Sequence, residues 1–419
     1  MRLLFLFLSV FCFVAPPCHA ARAPLLSRAV GDGFGVQIKG WIAAKEDLER
    51  IHAAGFGFVR FAIGWTEIEK ELGHYDWQQT DALVARVRRA GLKMVVPLLG
   101  GHPSYGGFVP APPNNVDHDL VRVRAPMTPE AIQAYARFTA QVVLRYGSKD
   151  IVWEIWNEPD LARFWPPKAD VQHFSVLAEA ACKTMRSVVP DAFIVGPSLG
   201  RIPDPQDDVG SAFFESFLSS GASACMDAIT VHPYRHGDEE PEAVFKDYRR
   251  LFPLMIKHRV SKPLLNTEWG YTGTQVSEEK RADYALRTRL IDVMWGVPLS
   301  IWYEWKDSRP DPEDDEGHFG LVYADGKAKP AFKWIERLLP VLRHAVLERQ
   351  IHTLNPRDVL LLFSAPEGKQ ILVGWSLREK DYPSVSFKKE GGKEGVFLSS
   401  CPSVLGVSSS LWEISLDRP

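Results

Sequence analysis

Residues 151–160 read IVWEIWNEPD, a run of β-branched and aromatic residues that ends in an amide, a carboxylate and a proline. The apolar run is typical of a strand buried on both faces, and Pro159 ends it because proline has no backbone N–H to donate. Asn157 and Glu158 therefore come directly after a strand. In repeated βα units the carboxyl ends of the strands share one face, which is where such folds place their active sites.

Similar short runs occur before and after this strand, and they alternate with longer amphipathic stretches from about residue 33 to residue 340. Eight strand–helix units in this order predict an α/β fold, a (β/α)8 TIM barrel, rather than a sandwich. The predicted strands are GFGVQI (33–38), FGFVRFAI (56–63), KMVVPLL (93–99), IVWEIW (151–156), AFIVG (192–196), DAITVHPY (227–234), PLLNTEW (263–269) and LSIWYEW (299–305).

The pattern changes after residue 343, where closely spaced strand-like runs are separated by the turn sequences PEGK and REKDYP. We predict a barrel over residues 21–343 and a small all-β, β-sandwich-like accessory domain over residues 344–419, with residues 24–30 joining it to the barrel. This domain either supports the barrel or binds glycan. The short connection through PAFKWIERLL favours support.

The first twenty residues have the layout of a secretory signal peptide: Arg2 precedes an apolar run, and small residues follow it. The apolar run over residues 3–14 is short for a membrane-spanning helix, so we expect cleavage near Ala20 and no membrane insertion afterwards. The sequence therefore predicts a secreted or periplasmic protein.

Composition and cysteine content limit the other partners. Hydrophobic residues make up 46% and charged residues 24% of the chain, and the net charge of -3 offers no basic surface for nucleic acid. Beyond the signal peptide, Cys182 and Cys225 form a disulfide or stay free thiols, and Cys401 is left over. No Cys/His cluster has zinc-ligand spacing, so we predict neither a metal nor another cofactor. Composition leaves the oligomeric state open.

A second carboxylate, Glu268 in TEWG (267–270), follows the seventh predicted strand, which faces the fourth across the barrel mouth. Retaining hydrolysis of a glycoside needs two carboxyl groups about 5 Å apart, one protonated and one ionised. We expect Glu158 to be the protonated partner and Glu268 the ionised one. Asn157 is placed to hold the 2-hydroxyl of the sugar.

Other polar residues at the predicted strand ends can assist this pair. Arg60 and Tyr234 are candidate donors to Glu268, although Arg60 also fits a buried structural arginine. His232, in the HPY sequence at 232–234, either orders the pair or contacts substrate. His102, in GGHPSYGG, lines a subsite or only belongs to its loop.

The sequences WNEP, HPY and TEWG, in this order, resemble those of clan A glycoside hydrolases over residues 33–340. More narrowly, NEPD followed by RFWPPKAD, TEWG and GLVYADGKAKPAF is similar to glycoside hydrolase family 39 and the Psl-type biofilm exopolysaccharide hydrolases. The resemblance implies that Glu158 is the acid/base and Glu268 the nucleophile.

The same resemblance implies roles for neighbouring residues: Asn157 as the 2-hydroxyl ligand, Tyr234 as the partner of the nucleophile, and Trp305 as the aromatic floor of the cleaved-sugar subsite. Trp302 competes with Trp305, because strand alternation lets only one of them face inward. Trp305 is preferred because it lies nearer the strand end. Trp165 is a second candidate for sugar stacking, and Asp160 is expected to be solvated.

The predicted function is therefore a metal-independent, retaining O-glycoside hydrolase that cleaves a β-linked oligo- or polysaccharide. One alternative is a carbohydrate-binding protein without activity, which the presence of both carboxylates disfavours. A metal-dependent lyase or aldolase on the same barrel lacks a ligand cluster. An exo-acting β-xylosidase and an endo-acting polysaccharide hydrolase both remain open, because loops 101–128 and 306–318 shape the cleft.

Overall fold

The structure is a computed structural model that describes residues 25–40, 43–110, 121–147, 149–203, 208–235, 237, 239–352, 358–376, 385–389, 403–408 and 412–416. The predicted signal peptide (1–20) and Cys401 lie outside these residues. Within the described ranges, no helix is both long enough and apolar enough to cross a membrane.

Eight parallel strands close into a barrel, as predicted. Each strand pairs with the next along the chain, and the first also pairs with the eighth, which closes the ring. The strands are β1 (Phe34–Gln37), β2 (Phe58–Arg60), β3 (Lys93–Leu99), β4 (Ile151–Ile155), β5 (Phe193–Leu199), β6 (Ala228–Val231), β7 (Leu264–Trp269) and β8 (Ser300–Trp302). Ile63–Gly64 extends the pairing with β3 beyond β2.

Helices follow the strands and form the outer layer. Several begin at side chains that accept a backbone N–H: Thr128, Asp170 and Ser277 each cap the helix that follows. The long helices are Lys45–Ala53, Gln78–Arg89, Pro129–Tyr146, Val171–Val188, Asp208–Leu218, Val244–Lys257, Glu278–Met294 and Pro330–Leu342. Shorter helices are Trp65–Ile68, Pro103–Gly106 and Gly221–Cys225, and three-residue 3-10 turns occur at Pro241–Ala243, Asp315–Gly317 and Pro366–Gly368. Phe108–Pro110 and Val121–Val123 pair as a hairpin after β3.

The barrel interior is apolar at its lower end and polar at its upper end. Alternate strand residues face the same side, so successive inward positions form layers. The lower layer consists of Phe58, Val95, Val152, Val195, Ala228, Leu265, Leu299 and Ile301, with Leu25 and Leu26 packed against it. Two residues further along four of these strands lie Arg60, Glu154, Thr230 and Thr267. Polar side chains are therefore concentrated at the carboxyl ends of the strands.

The C-terminal region is all-β, as predicted. A four-stranded antiparallel sheet contains β9 (Val346–Ile351), β10 (Asp358–Ala365), β11 (Lys369–Ser376) and β13 (Ser403–Ser408), and β12 (Val385–Lys389) pairs with β14 (Trp412–Leu416). Ala29 forms a bridge with Val346, which is the predicted connection to the N-terminal segment. The domain boundaries at residues 20 and 343 stay predictions.

Cys182 and Cys225 form a disulfide, the pairing that the sequence left open against free thiols. Cys182 lies in the helix Val171–Val188, and Cys225 ends the short helix Gly221–Cys225. The bridge therefore ties together the elements on either side of β5.

Candidate active site

Glu158 lies just beyond β4, and its backbone is held in an unusual conformation. Its φ is 43° and that of Trp156 is 69°, values in the left-handed region that non-glycine residues rarely adopt. The Glu158 N–H donates to the carbonyl of Ser198 at 3.0 Å, which fixes this turn to β5. A Cβ on Gly200 would lie 2.9 Å from the carboxyl carbon of Glu158. Glycine at position 200 therefore leaves room for the Glu158 carboxyl group.

Glu268, near the end of β7, is held as an ionised carboxylate. The Tyr234 hydroxyl donates to its Oε1 at 2.7 Å, and Nη1 of Arg60 donates to its Oε2. Burial by itself would raise the pKa of Glu268. The positive charges of Arg60 and His232, together with the hydrogen bonds from Tyr234 and Arg60, instead hold that pKa below its ordinary value of 4.5. The expectation that donors keep Glu268 charged agrees with this arrangement.

Arg60 binds four side chains at the bottom of the cleft. Besides Glu268, it donates from Nε to Glu154 Oε2 at 2.9 Å, from Nη1 to Gln37 Oε1 at 3.0 Å and from Nη2 to Asn157 Oδ1 at 2.7 Å. Burial would lower the pKa of Arg60, but the charges of Glu154 and Glu268 raise it overall. The guanidinium group is thus fixed in one plane and stays charged.

Sequence reasoning did not select Glu154 or Gln37 as site residues. Glu154 is fully buried within β4 and makes an ion pair with Arg60 at 2.8 Å, while Gln37 ends β1. A signal for Glu154 was present: a charged side chain inside an otherwise apolar parallel strand needs a buried partner of opposite charge.

His232 is hydrogen-bonded to Glu158 and lies close to Glu268. Its Nδ1 is hydrogen-bonded to Glu158 Oε1 at 2.8 Å, and its Nε2 lies 3.2 Å from Thr267 Oγ1. Burial would lower the pKa of His232, but Glu268 and the hydrogen-bonded Glu158 raise it above the ordinary value of 6.5. Of the two roles predicted for His232, the geometry favours ordering the carboxylate pair.

Single ligand-type atoms of Glu158, His232 and Glu268 all lie within 4.8 Å of one another. Sequence reasoning did not predict a metal-binding cluster at these residues. Three protein ligands are the number typical of a catalytic zinc site. However, both oxygens of Glu268 already accept hydrogen bonds, and one of the donors is the guanidinium group of Arg60. A dication here would be repelled by Arg60, so the donor set does not suit a metal.

Glu158 and Glu268 line a cleft of about 1470 Å³, together with Asn157, His232 and Tyr234. Its aromatic lining near Glu268 comes from Tyr303 and Phe319. The rings of Tyr303 and Phe319 meet edge to face at 5.2 Å, and Tyr234 packs against both.

Trp305 and Trp302, the two predicted floor residues, are buried and absent from the residues that line this cleft. Leu299 and Ile301 face the barrel interior, so the inward position at the end of β8 is residue 303, and Trp302 faces outward to Tyr271. The chain then leaves the strand, and Trp305 packs against Phe332. The prediction of a tryptophan floor was wrong because it assumed that the strand continued to residue 305.

His102, Asp160 and Trp165 are likewise absent from the residues that line the cleft. His102 is buried, accepts from the Ser104 N–H and binds the carbonyl of Glu69 at 2.8 Å, so it caps the start of the helix Pro103–Gly106 and does not line the cleft. Asp160 is buried and accepts from the N–H groups of residues 200 and 201, rather than being solvated. Trp165 is enclosed by Trp156 and Phe174 in the core.

Residues 28–307 match the family model Cellulase (glycosyl hydrolase family 5), which covers more than half of the chain. The chain belongs to this family. It is accordingly a clan A glycoside hydrolase, as its motifs predicted. No curated protein matches the chain.

Several solved structures are similar in fold. A family 39 glycoside hydrolase from Bacteroides cellulosilyticus WH2 is 20% identical, with a TM-score of 0.69 over 91% of this chain and 80% of that one. A monomeric β-xylosidase from Caulobacter crescentus CB15 is 17% identical, with a TM-score of 0.61 over 87% of this chain and 80% of that one. These structures support the predicted family 39-like fold.

Proposed function

We propose that this glycoside hydrolase cleaves β-linked O-glycosides with retention of configuration, through a covalent glycosyl-Glu268 intermediate. The observation that supports it is the separation of less than 4.8 Å between an oxygen of Glu158 and one of Glu268. Retaining enzymes need carboxyl groups about 5 Å apart, whereas inverting enzymes need about 6.5–9.5 Å to admit a water between them.

In the first step a Glu268 carboxylate oxygen attacks the anomeric carbon and forms an ester bond, while the bond from that carbon to the leaving oxygen breaks. Glu158 gives its proton to the leaving oxygen. In the second step Glu158 takes a proton from water, the water oxygen attacks the same carbon, and Glu268 leaves as a carboxylate.

Arg60 and Tyr234 prepare Glu268 for both steps. Their hydrogen bonds keep it ionised before attack and stabilise it again when it leaves. The Tyr234 hydroxyl keeps its own proton during this cycle, because burial and the neighbouring negative charge of Glu268 raise its pKa well above 10.

In the proposed mechanism Asn157 binds the sugar 2-hydroxyl. Its Oδ1 is occupied by Arg60, so its amide NH₂ group is the part of the side chain that can donate to substrate. A hydrogen bond to the 2-hydroxyl strengthens as positive charge develops on the neighbouring anomeric carbon.

The substrate class is a β-linked oligo- or polysaccharide. The fold is shared with a β-xylosidase, an exo-β-1,4-mannosidase from an Opitutaceae bacterium and a β-galactosidase from Marinomonas ef1, so aryl β-xylosides, β-mannosides and β-galactosides form the first panel to screen.

The decisive experiment replaces Glu268 with alanine. We expect kcat on an activated aryl β-glycoside to fall by about 10⁴-fold or more, and azide to restore turnover by occupying the vacated space and giving the α-glycosyl azide. The matched control is Glu336→Gln, a carboxylate exposed on the helix Pro330–Leu342. Near wild-type activity of the Glu268→Ala variant would refute the nucleophile assignment.

A further inference from the structure

Arg60 uses all of its N–H groups on protein side chains. A guanidinium group has five N–H donors and no acceptor. Nε and one N–H of Nη2 point to Oε2 of Glu154, with the nitrogens at 2.9 and 2.8 Å. The other N–H of Nη2 binds Asn157, and the two of Nη1 bind Gln37 and Glu268. Arg60 lines the cleft, but it has no donor left for a substrate.

The side-chain amides of Gln37 and Asn157 are oriented by this guanidinium group. Because a guanidinium group only donates, each amide has to turn its oxygen towards Arg60 and its NH₂ group away from it. Oε1 of Gln37 accepts from Nη1 at 3.0 Å, and Oδ1 of Asn157 accepts from Nη2 at 2.7 Å. The two amide oxygens are therefore bound to neighbouring nitrogens of one rigid, planar group.

The NH₂ group of Gln37 is left without a protein partner. Among the described residues, none accepts a hydrogen bond from it. Gln37 is half-buried, ends β1 in register with Arg60 on β2, and lines the same cleft. A substrate that fills the cleft removes water from this NH₂ group, and a buried donor without an acceptor costs free energy. The substrate therefore has to supply the acceptor.

Gln37 lies beside Glu268, on the other side of Arg60 from Asn157. Nη1 of Arg60 binds both Gln37 and Glu268, so a sugar bonded to Glu268 lies within reach of Gln37. In the ring of strands β1 is one neighbour of β2, whereas Asn157 follows β4, which is reached from β2 through β3. The two amides therefore approach the sugar from different sides and face different hydroxyl groups.

We propose that Gln37 determines sugar specificity: its NH₂ group donates to a second hydroxyl of the sugar that is cleaved off, while Asn157 binds the 2-hydroxyl. This inference rests on the proposed function and deepens it, because it adds a second hydroxyl that the sugar over Glu268 must carry. Arg60 is then a positioning residue that orients both amides and contacts no substrate atom. A sugar without the second hydroxyl leaves a buried donor unpaired and is cleaved more slowly.

The test compares the wild-type enzyme with Gln37→Met on the preferred aryl β-glycoside and on the same glycoside lacking its 2-, 3-, 4- or, in a hexose, 6-hydroxyl. Methionine has nearly the length of glutamine but no amide. We expect the variant to lose about tenfold in kcat/KM on the parent glycoside, the scale of one hydrogen bond. The loss should vanish on one deoxy glycoside that keeps the 2-hydroxyl, because the wild-type enzyme lacks the same contact there.

Two results would overturn the proposal. An equal loss on every glycoside would mean that Gln37 only positions Arg60. A loss that vanishes on the 2-deoxy glycoside alone would mean that Gln37 binds the hydroxyl assigned to Asn157. The comparison of two substrates on one enzyme does not depend on how much of the variant is folded. Gln133→Met, the same substitution at an exposed position of the helix Pro129–Tyr146, should leave every rate near wild type.

A milder variant keeps the test decisive if Gln37→Met does not fold. Gln37→Asn keeps an amide on a side chain that is one methylene shorter, so the amide cannot reach both Arg60 and the sugar. It should show the same dependence on the deoxy glycosides, with a smaller loss. The same loss on all of them would count against a substrate contact.

The outcomes are separable from those of the proposed function. Asn157→Ala should lose activity on the parent glycoside but not on the 2-deoxy glycoside, which tests the proposed mechanism independently of Gln37. If aryl glycosides are hydrolysed and only the Gln37 dependence fails, the glycosidase assignment stands. If the wild-type enzyme hydrolyses no member of the aryl glycoside panel, the proposed function fails and takes this inference with it.

Discussion

Arg60 and Glu154 form a buried ion pair at 2.8 Å beneath the cleft, and the same guanidinium group reaches Glu268. Two negative charges therefore share one positive charge inside the barrel. The cost of burying such a pair is repaid only while both partners are present. The arrangement links the stability of the fold to the ionisation of Glu268.

Replacing Arg60 alone should destabilise the protein strongly. Arg60→Gln leaves Glu154 buried without its cation, so we expect the free energy of unfolding to fall by about 3–5 kcal/mol, measured by urea denaturation. The double variant Arg60→Gln/Glu154→Gln removes both charges and should recover most of that loss. A double variant as unstable as the single one would show that the ion pair is not the reason.

The same double variant should shift the pH profile of activity. Only ionised Glu268 attacks, and its folded pKa lies below 4.5 in the wild type, so its contribution to stability and activity is present above pH 4.5 and is lost as the pH falls. Without the charge of Arg60, burial should raise the pKa of Glu268. The acidic limb of the kcat/KM profile should therefore move to higher pH. An unchanged limb would mean that Arg60 does not hold the charge of Glu268.

The pKa of His232 should depend on the charge of Glu268. Since Glu268 is the leading cause that raises the pKa of His232 against burial, Glu268→Gln should lower that pKa, measured by NMR titration of the ring. The stability contribution of His232 is present below pH 6.5 and is lost as the pH rises through its folded pKa. The Glu336→Gln control should leave the His232 pKa unchanged. An equal shift in that control would contradict the assigned cause.

Gly200→Ala should displace the carboxyl group of Glu158. The new Cβ would lie 2.9 Å from both Cγ and Cδ of Glu158, a distance that requires the side chain to move. We expect kcat to fall by about tenfold or more for alkyl glycosides, whose leaving oxygen needs a proton, and by less for dinitrophenyl glycosides, whose leaving group does not. Equal losses on both substrate types would point to a general structural effect.

The C-terminal sheet should be part of the folding unit of the barrel. Trp375 is buried, donates to Glu242 Oε1 at 2.6 Å and lies in the same core cluster as barrel residues. We expect Trp375→Ala to cost about 3–5 kcal/mol and to lower the single thermal unfolding transition. Lys369→Ala, at the start of the same strand, serves as the control. A folded, active fragment truncated at residue 343 would instead favour a separate glycan-binding module.

The fold and the closeness of Glu158 to Glu268 could be predicted from the sequence for local reasons. Strand and helix periodicity repeated eight times, and polar residues after the fourth and seventh runs had to share the upper face of any barrel so built. Arg60 and Tyr234 were found by the same rule.

The sequence could not predict the orientation of side chains that depend on where a strand ends. Residue 303, rather than 305, is the inward position after β8, because the strand stops at Trp302. His102 lies at a strand end as expected, but its ring turns to the Glu69 carbonyl, a contact between loops that no local pattern encodes.

By itself, the sequence determined the eight strand–helix units and the positions of Glu158 and Glu268 after the fourth and seventh strands, because each of these features depends on periodicity along one segment. Only the tertiary structure decided that Glu154 shares Arg60 with Glu268, that Tyr303 replaces a tryptophan in the cleft, and that Gln37 and Asn157 bind the same guanidinium group. Each of those contacts joins side chains from different strands or loops. Their meeting is set by the register and ends of strands, which local sequence specifies weakly.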